Sequence, residues 1–257
     1  MYRFDGQTIL ITGATGGIGS AAALRFAAAG GKILLHCNKN VDAAKKISEK
    51  INSSGGIAEI FVADFHKQSD LDKFLFDVTE KYFQIDILIN AAGIDLMSID
   101  LVQDSFDERL KKIFSIDVFA TIAVTRRVCE LMKKQGKGKI FFFGWDGVEF
   151  GWQGETAQLY GAAKGAIQGF ARSLAETVAP KIQIRTLALG WIKTNWGKSA
   201  EKFNRRVELD SLAERWGEPD EIADIILFLA SNNANYIDCT NLKLNGVKRN
   251  TKNYNQQ

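Results

Sequence analysis

The amino-acid sequence predicts an α/β protein: a single doubly wound domain whose parallel sheet of about seven strands carries helices on both faces. Three observations carry this expectation. Short apolar, β-branched runs alternate with helical stretches along nearly the whole chain. A glycine-rich turn, Gly13 to Gly19, lies between the first of these strands and the first helix. No composition shift, internal repeat or Pro-rich linker divides the 257 residues, which include only 2 prolines. Strict alternation joins parallel strands by helical crossovers and leaves the sheet covered on both sides.

Thr8 to Thr12 is apolar and β-branched and predicts a short buried strand. Ser20 to Ala29 is Ala-rich and predicts a helix, stopped by Gly30-Gly31. Lys32 to His36 is the second strand, Asp42 to Ile51 a helix closed by Ser53-Ser54-Gly55-Gly56, and Ile57 to Ala63 the third strand, ending at Asp64. Ser69 to Phe83 is amphipathic, with Leu71, Phe74, Leu75 and Val78 on one face. Ile85 to Asn90 is the fourth strand, Phe106 to Lys134 holds one or two long helices, and Lys139 to Phe143 is a very apolar fifth strand. Gln158 to Ala179 predicts a helix, Lys181 to Leu189 a strand, Pro219 to Ser231 a helix and Asn241 to Asn245 a last short strand. The expected organisation is one domain over residues 1–247, a substrate-loop insert at 192–216, and a polar, frayed tail at 248–257.

Composition narrows the function classes. Hydrophobic residues are 46% and charged residues 25%, ordinary for a globular protein. A net charge of +3 is too small to imply nucleic acid or an anionic membrane surface as a partner. The apolar runs fall short of the roughly 18 residues of a membrane-spanning helix. The first strand begins almost at the N-terminus, which leaves no room for a signal peptide. The 3 cysteines are scattered and odd in number, which argues against a disulfide framework or zinc site and fits a reducing cytoplasm. Only 2 histidines exist, so neither His-based catalysis nor a metal site is expected.

Two motifs carry chemistry. Gly13, Gly17 and Gly19 form GxxxGxG between a strand and a helix. Glycines there let the backbone turn tightly and approach a pyrophosphate, whose charge is met by amide N–H groups at the helix N-terminus. Tyr160 and Lys164 form YxxxK on a predicted helix, where positions i and i+4 are neighbours on one face. Alone, such a pair is more often solvated helix surface. Together with a dinucleotide loop, a phenol and an ammonium can share one substrate and one cofactor.

From Thr8 to about Gly246 the chain resembles the short-chain dehydrogenase/reductase family, in the single-domain Rossmann-fold branch that includes the β-ketoacyl reductases. Thr12-Gly13-Ala14-Thr15-Gly16-Gly17-Ile18-Gly19 is similar to the family's TGxxxGxG, and Asn90-Ala91-Ala92-Gly93 to its NNAG. The resemblance implies cofactor contacts from Gly13, Thr15, Gly16, Gly17, Ile18 and Gly19, from Asp64 and Phe65 near the adenine, and from Asn90, Ala91 and Gly93. Gly190, Ile192 and Thr194 correspond to a PG-x-x-T segment touching the nicotinamide, with Leu189 replacing the Pro. Tyr160 is then the general acid or base, and Lys164 lowers its pKa and holds the nicotinamide ribose.

An NAD-binding site usually has an acid about 20 residues beyond the glycines, at the end of the second strand. That place reads His36-Cys37-Asn38-Lys39. A carboxylate would repel a 2′-phosphate, whereas Asn38 and Lys39 could bind one. NADP(H) is therefore expected in preference to NAD(H); the competing reading leaves Lys39 merely solvated.

The family's catalytic serine is missing. Between Ile140 and Tyr160 there is no serine, and its place falls to Trp145, or to Gly144 if the register slips by one. Thr156 lies too close to Tyr160 to replace it. Asp117 stands where the family has an Asn that orders a helix kink and a water chain to the lysine. Two readings follow. One is an NADP(H)-dependent enzyme interconverting a ketone and a secondary alcohol, with Tyr160, Lys164 and Asp117 at the site and the Trp145 indole N–H, or a protonated Asp146, as donor. The other is a catalytically impaired cofactor-binding scaffold or sensor, in which Trp145 is a packing aromatic. Trp191, Trp196 and Phe203 would line a pocket for an apolar or ring-bearing carbonyl or alcohol substrate, and Lys193, Lys198, Lys202, Arg205 and Arg206 could meet an acyl-carrier-linked one. The resemblance further implies a homotetramer or homodimer.

Overall fold

A sheet covered on both faces must bury both sides of its central strands, and this sheet does. The computed structural model describes residues 2–94, 103–194, 200–237 and 240–248. Among them are seven strands: β1 (Thr8–Thr12), β2 (Lys32–Cys37), β3 (Ile57–Val62), β4 (Ile87–Asn90), β5 (Gly138–Trp145), β6 (Ile182–Leu189) and β7 (Leu242–Leu244). All pair in parallel, in the order β3-β2-β1-β4-β5-β6-β7. Every residue of β1 and β4 is buried. The strand order reverses between β1 and β4, the switch point at which open α/β sheets bind ligands beyond the strands' carboxyl ends.

The helices are α1 (Gly17–Ala28), α2 (Val41–Ser53), α3 (Gln68–Lys81), α4 (Phe106–Ile113), α5 (Thr121–Gln135), α6 (Glu155–Val178), α7 (Ala200–Asp210) and α8 (Pro219–Ala230). Two apolar layers sandwich the sheet. Ile9, Ile11 and Phe141 point into the layer shared with Phe26 of α1 and Ile222 and Ile226 of α8. Leu10, Leu88 and Phe142 point into the opposite layer, with Leu71 of α3, Val124 of α5 and Ile167 of α6. This two-residue alternation is the pleat itself, since successive strand side chains face opposite sides.

Some boundaries differ from the sequence reading, each for a local reason. Helix α1 starts at Gly17 rather than Ser20, because the tight turn is complete by Gly16. Helix α4 opens on a capping box in which the Ser105 side chain accepts from the Glu108 N–H and Glu108 accepts from the Ser105 N–H. The Phe106–Lys134 region is a single helical rod, with a π-helical stretch at Phe114–Ala120 between α4 and α5. The 192–216 insert contains α7. Lys248 is bridged to Ser211, and Leu212 donates its N–H to the Val247 carbonyl; the rest of the expected tail, 249–257, lies outside the described residues. Among the described residues, no helix is long and apolar enough to cross a membrane.

Phe141 is completely buried at the centre of the sheet. Phe141→Ala is expected to cost about 3–5 kcal/mol, measured as the fall in unfolding free energy in urea.

Candidate active site

The first turn of the chain after β1 is built for close approach. Gly13 has φ +63, and a Cβ there would lie 2.6 Å from the Ala91 carbonyl oxygen. A Cβ on Gly19 would lie 2.4 Å from the Gly13 oxygen. The loop therefore packs on itself and on the chain leaving β4 with no room for side chains. Helix α1 has Gly16 as its N-cap, no side-chain cap and no acid in its first turn. Its free N–H groups and positive dipole end fit a phosphate. A Cβ on Gly17 would sit 3.2 Å from the Thr194 Cα, so the glycine loop and the Thr194 segment border the same space.

Beyond β4, the chain meets the π-helical stretch. Such stretches recur at functional sites. Here the stretch carries Asp117, whose residue is 2% exposed. Asp117 Oδ2 accepts the Ile94 N–H at 2.8 Å, and Oδ1 lies 2.9 Å from Lys164 Nζ. A Cβ on Gly93 would meet Asp117 Oδ1 at 3.1 Å, so a larger residue there would press on the carboxylate. Lys164 is buried on the inner face of α6. Burial pushes its ammonium pKa down, but the charges of Asp117 and Tyr160 and the Asp117 contact together carry it above its ordinary value. The lysine is thus cationic at all physiological pH.

Tyr160 is half-buried, one helical turn before Lys164, whose Nζ lies 5.3 Å from the phenol ring centroid. Trp145, at the end of β5, meets Tyr160 edge-on, with ring centroids 5.4 Å apart at 67°. The chain makes room for this indole: a Cβ on Gly147 would come within 2.4 Å of its ring. No side-chain hydrogen bond ties the indole N–H to another described residue. The alternative position, Gly144, faces away from Tyr160, since a Cβ there would meet the Gln168 amide at 2.6 Å. Asp146 is buried and accepts from Asn245 Nδ2 at 3.1 Å. Burial pushes its carboxyl pKa up, partly offset by the Asn245 bond.

An aromatic chain extends from Trp145 outward. Trp152 lies 6.2 Å from Trp145 and 5.8 Å from Trp191, and Trp191 contacts Phe203 and Trp216. The Arg206 guanidinium and Lys248 ammonium both stand over the Trp152 ring, at 4.6 and 4.7 Å. Arg206 and the Trp191 indole N–H both bond Asp210 Oδ2.

Residues 13–246 match the family model described as enoyl-(acyl carrier protein) reductase. The chain is 31% identical over 247 residues to the 3-oxoacyl-[acyl-carrier-protein] reductase FabG of Escherichia coli, covering 95% of this chain and 98% of that one. A short-chain dehydrogenase from Burkholderia cenocepacia, solved in complex with NADP, superposes with a TM-score of 0.82 at 25% identity, covering 95% of this chain and 98% of that one. The chain belongs to the short-chain dehydrogenase/reductase family. Other relatives include the uncharacterized oxidoreductase YmfI of Bacillus subtilis (32% over 247 residues, 93% of this chain and 98% of the relative). The meso-2,3-butanediol dehydrogenase of Serratia marcescens is 30% identical over 257 residues, covering 95% of each.

The structure brings Tyr160, Lys164, Asp117 and Trp145 together. At the segment expected to lie near an adenine, Asp64 Oδ1 accepts from Asn38 Nδ2 and from the His66 N–H, both at 3.2 Å. The Asn38 amide is thus engaged internally, and Lys39 is the exposed member of the pair. Phe65 turns inward, 5% exposed. The Asn90 amide bonds Thr125 Oγ1 and the Phe141 carbonyl, so it ties β4 to α5 and β5. Gly190 packs against Asn245, where a Cβ would come within 2.6 Å. Trp196 and Lys198 lie outside the described residues. Sequence reasoning missed Gly147, whose need for a missing Cβ only the Trp145 ring reveals. It also discounted His36, which lies beneath the glycine loop.

Removing one partner of a buried ion pair leaves an uncompensated charge, at about 3–5 kcal/mol. Asp117→Ala is expected to destabilise the protein by about that amount in urea unfolding. Because the folded Lys164 pKa lies above 10.5, the pair's stabilisation is fully present below that pH and is lost only as pH rises through the folded value. The wild-type-minus-variant difference should therefore stay flat from about pH 6 to 9.

Proposed function

We propose that this protein interconverts a ketone and a secondary alcohol, using NADP(H) in preference to NAD(H). The observation that carries the reading is a phenol beside a buried, permanently charged lysine whose partner Asp117 packs on Gly93, just beyond the Ala91–Ala92 backbone against which the glycine loop lies. Bound NADPH would supply the hydride, and the protein supplies position and charge. Lys164 stabilises negative charge on Tyr160 Oη, so the phenol can release its proton to a carbonyl oxygen that becomes an alcohol, or take one back in the reverse direction. Asp117 holds the lysine ammonium in place. The unengaged indole N–H of Trp145 is a donor only, which suits a carbonyl oxygen. It replaces the hydroxyl that the family's serine usually supplies.

NADP(H) is favoured because no acid stands at the end of β2 and Lys39 is exposed there. The structural relative from Burkholderia cenocepacia holds NADP. A substrate with an apolar or ring-bearing body fits the aromatic chain from Trp152 to Phe203. The FabG relatives, named for acyl-carrier substrates, support an acyl-carrier-linked carbonyl as one form of it. From the family resemblance we read the protein as a homodimer or homotetramer. We read the protein as cytoplasmic.

A second reading, a cofactor-binding scaffold with little turnover, draws on the same tryptophan, since a ring packed edge-on to Tyr160 also narrows the space for substrate. A panel of ketones and acyl substrates separates the two. Tyr160→Phe should abolish carbonyl-dependent NADPH oxidation while leaving NADPH binding intact. Trp145→Phe keeps the ring contact and removes the donor, and should lower kcat by about 10²-fold. Undiminished turnover by Trp145→Phe would remove the indole from the mechanism. Tight NADPH binding without turnover by the unmodified protein would favour the scaffold.

The cofactor preference rests on one cation. Lys39→Ala should raise KM for NADP(H) about tenfold, the scale of one exposed charge-assisted phosphate contact, and leave KM for NAD(H) unchanged. Equal KM changes for both cofactors, or a lower KM for NAD(H) in the wild type, would refute the assignment.

A further inference from the structure

His36 is 3% exposed at the end of β2 and belongs to neither the catalytic group nor the exposed cofactor surface. Its ring nevertheless touches three parts of the proposed dinucleotide site. Nδ1 lies 3.2 Å from the Gly13 backbone nitrogen and accepts its N–H. Nε2 lies 3.1 Å from the Ala63 carbonyl oxygen, at the start of the Asp64–Phe65 segment. The ring stacks on Phe65, with centroids 3.9 Å apart and planes 5° from parallel. The His36 carbonyl also accepts the Ala14 N–H at 2.8 Å.

These contacts admit one state of the ring. An acceptor at Nδ1 and a donor at Nε2 define the neutral Nε2–H tautomer. Burial pushes the imidazole pKa down to about 4, which keeps that state at neutral pH. Gly13 is held from both sides. Its N–H points at His36, and its Cα packs against Ala91 and Ala92 so tightly that a Cβ would come within 2.7 Å of the Ala92 Cα. A buried backbone N–H that loses its acceptor is costly, so the acceptor fixes the loop's conformation.

We propose that His36 is a positioning residue for cofactor binding: its neutral imidazole clamps the Gly13 N–H and the Ala63–Phe65 segment, setting the pyrophosphate loop and the adenine side in register. This rests on the proposed use of a dinucleotide. It predicts a role that a simple core residue would lack, because the ring's hydrogen-bonding pattern, not its volume, matters.

The test pairs two variants. His36→Phe keeps an aromatic ring against Phe65 and removes both hydrogen bonds. His36→Asn loses the stack but places an amide oxygen where Nδ1 accepts from Gly13. NADPH affinity is read by fluorescence titration. His36→Phe should weaken NADPH binding about tenfold, raising KM for the cofactor with kcat nearly unchanged. His36→Asn should bind within about threefold of wild type, although it is the poorer core residue. Wild-type-like affinity in His36→Phe, or equal losses in both variants, would overturn the proposal. Hydrogen exchange on the unmodified protein covers the case in which a variant does not fold. The Gly13 amide should exchange as slowly as the amides of β1, and exchange as fast as an exposed loop amide would sink the clamp. An unmodified protein that binds neither NADPH nor NADH refutes the proposed function instead, and the Gly13 exchange rate still decides the clamp.

Discussion

The buried pair between Asp117 and Lys164 organises the rest of the site. Three segments distant in sequence converge on one carboxylate: Ile94 leaving β4, the π-helical stretch, and the inner face of α6. Neither charge could be buried alone, since an isolated ion in a protein interior is strongly disfavoured. The pair therefore constrains how α6 sits against the helix that carries Asp117, and with it where Tyr160 presents its phenol. The carboxylate secures the lysine's charge.

A second constraint is the absence of space. Gly13, Gly19 and Gly147 are each glycine because a neighbouring backbone or ring occupies the Cβ position. Gly13 is crowded on one side and bonded to the His36 acceptor on the other. Around Gly147, the same principle serves a different end, since the vacated volume accommodates an indole. The indole sits in a prepared place: Gly147 makes room for Trp145, and Tyr160 packs against it.

Much of this was legible in the chain. Strand–helix alternation specified a parallel sheet, and the glycine spacing between β1 and α1 specified a dinucleotide loop, because both depend on local periodicity and backbone freedom. The pairing of Tyr160 with Lys164 followed from helical geometry. Partner choice did not follow. Asn38, read as a phosphate ligand, gives its amide to Asp64, and Phe65, read as a cofactor contact, turns inward onto His36. The π-helical geometry did not show in the residues, which read as ordinary helix; a kink near Asp117 and its nearness to Lys164 were expected only through the family resemblance, and the structure puts the two side chains 2.9 Å apart.

The sequence by itself determined the class of fold, the order of its elements and the types of residue available for chemistry, because these rest on hydrophobic period, glycine placement and i,i+4 spacing. Only the tertiary structure decided which polar groups are already satisfied and which remain open. That depends on contacts between residues far apart in the chain, such as His36 with Gly13 and Asn38 with Asp64. A buried donor or acceptor takes whichever partner the packing brings within reach, and no local pattern announces it.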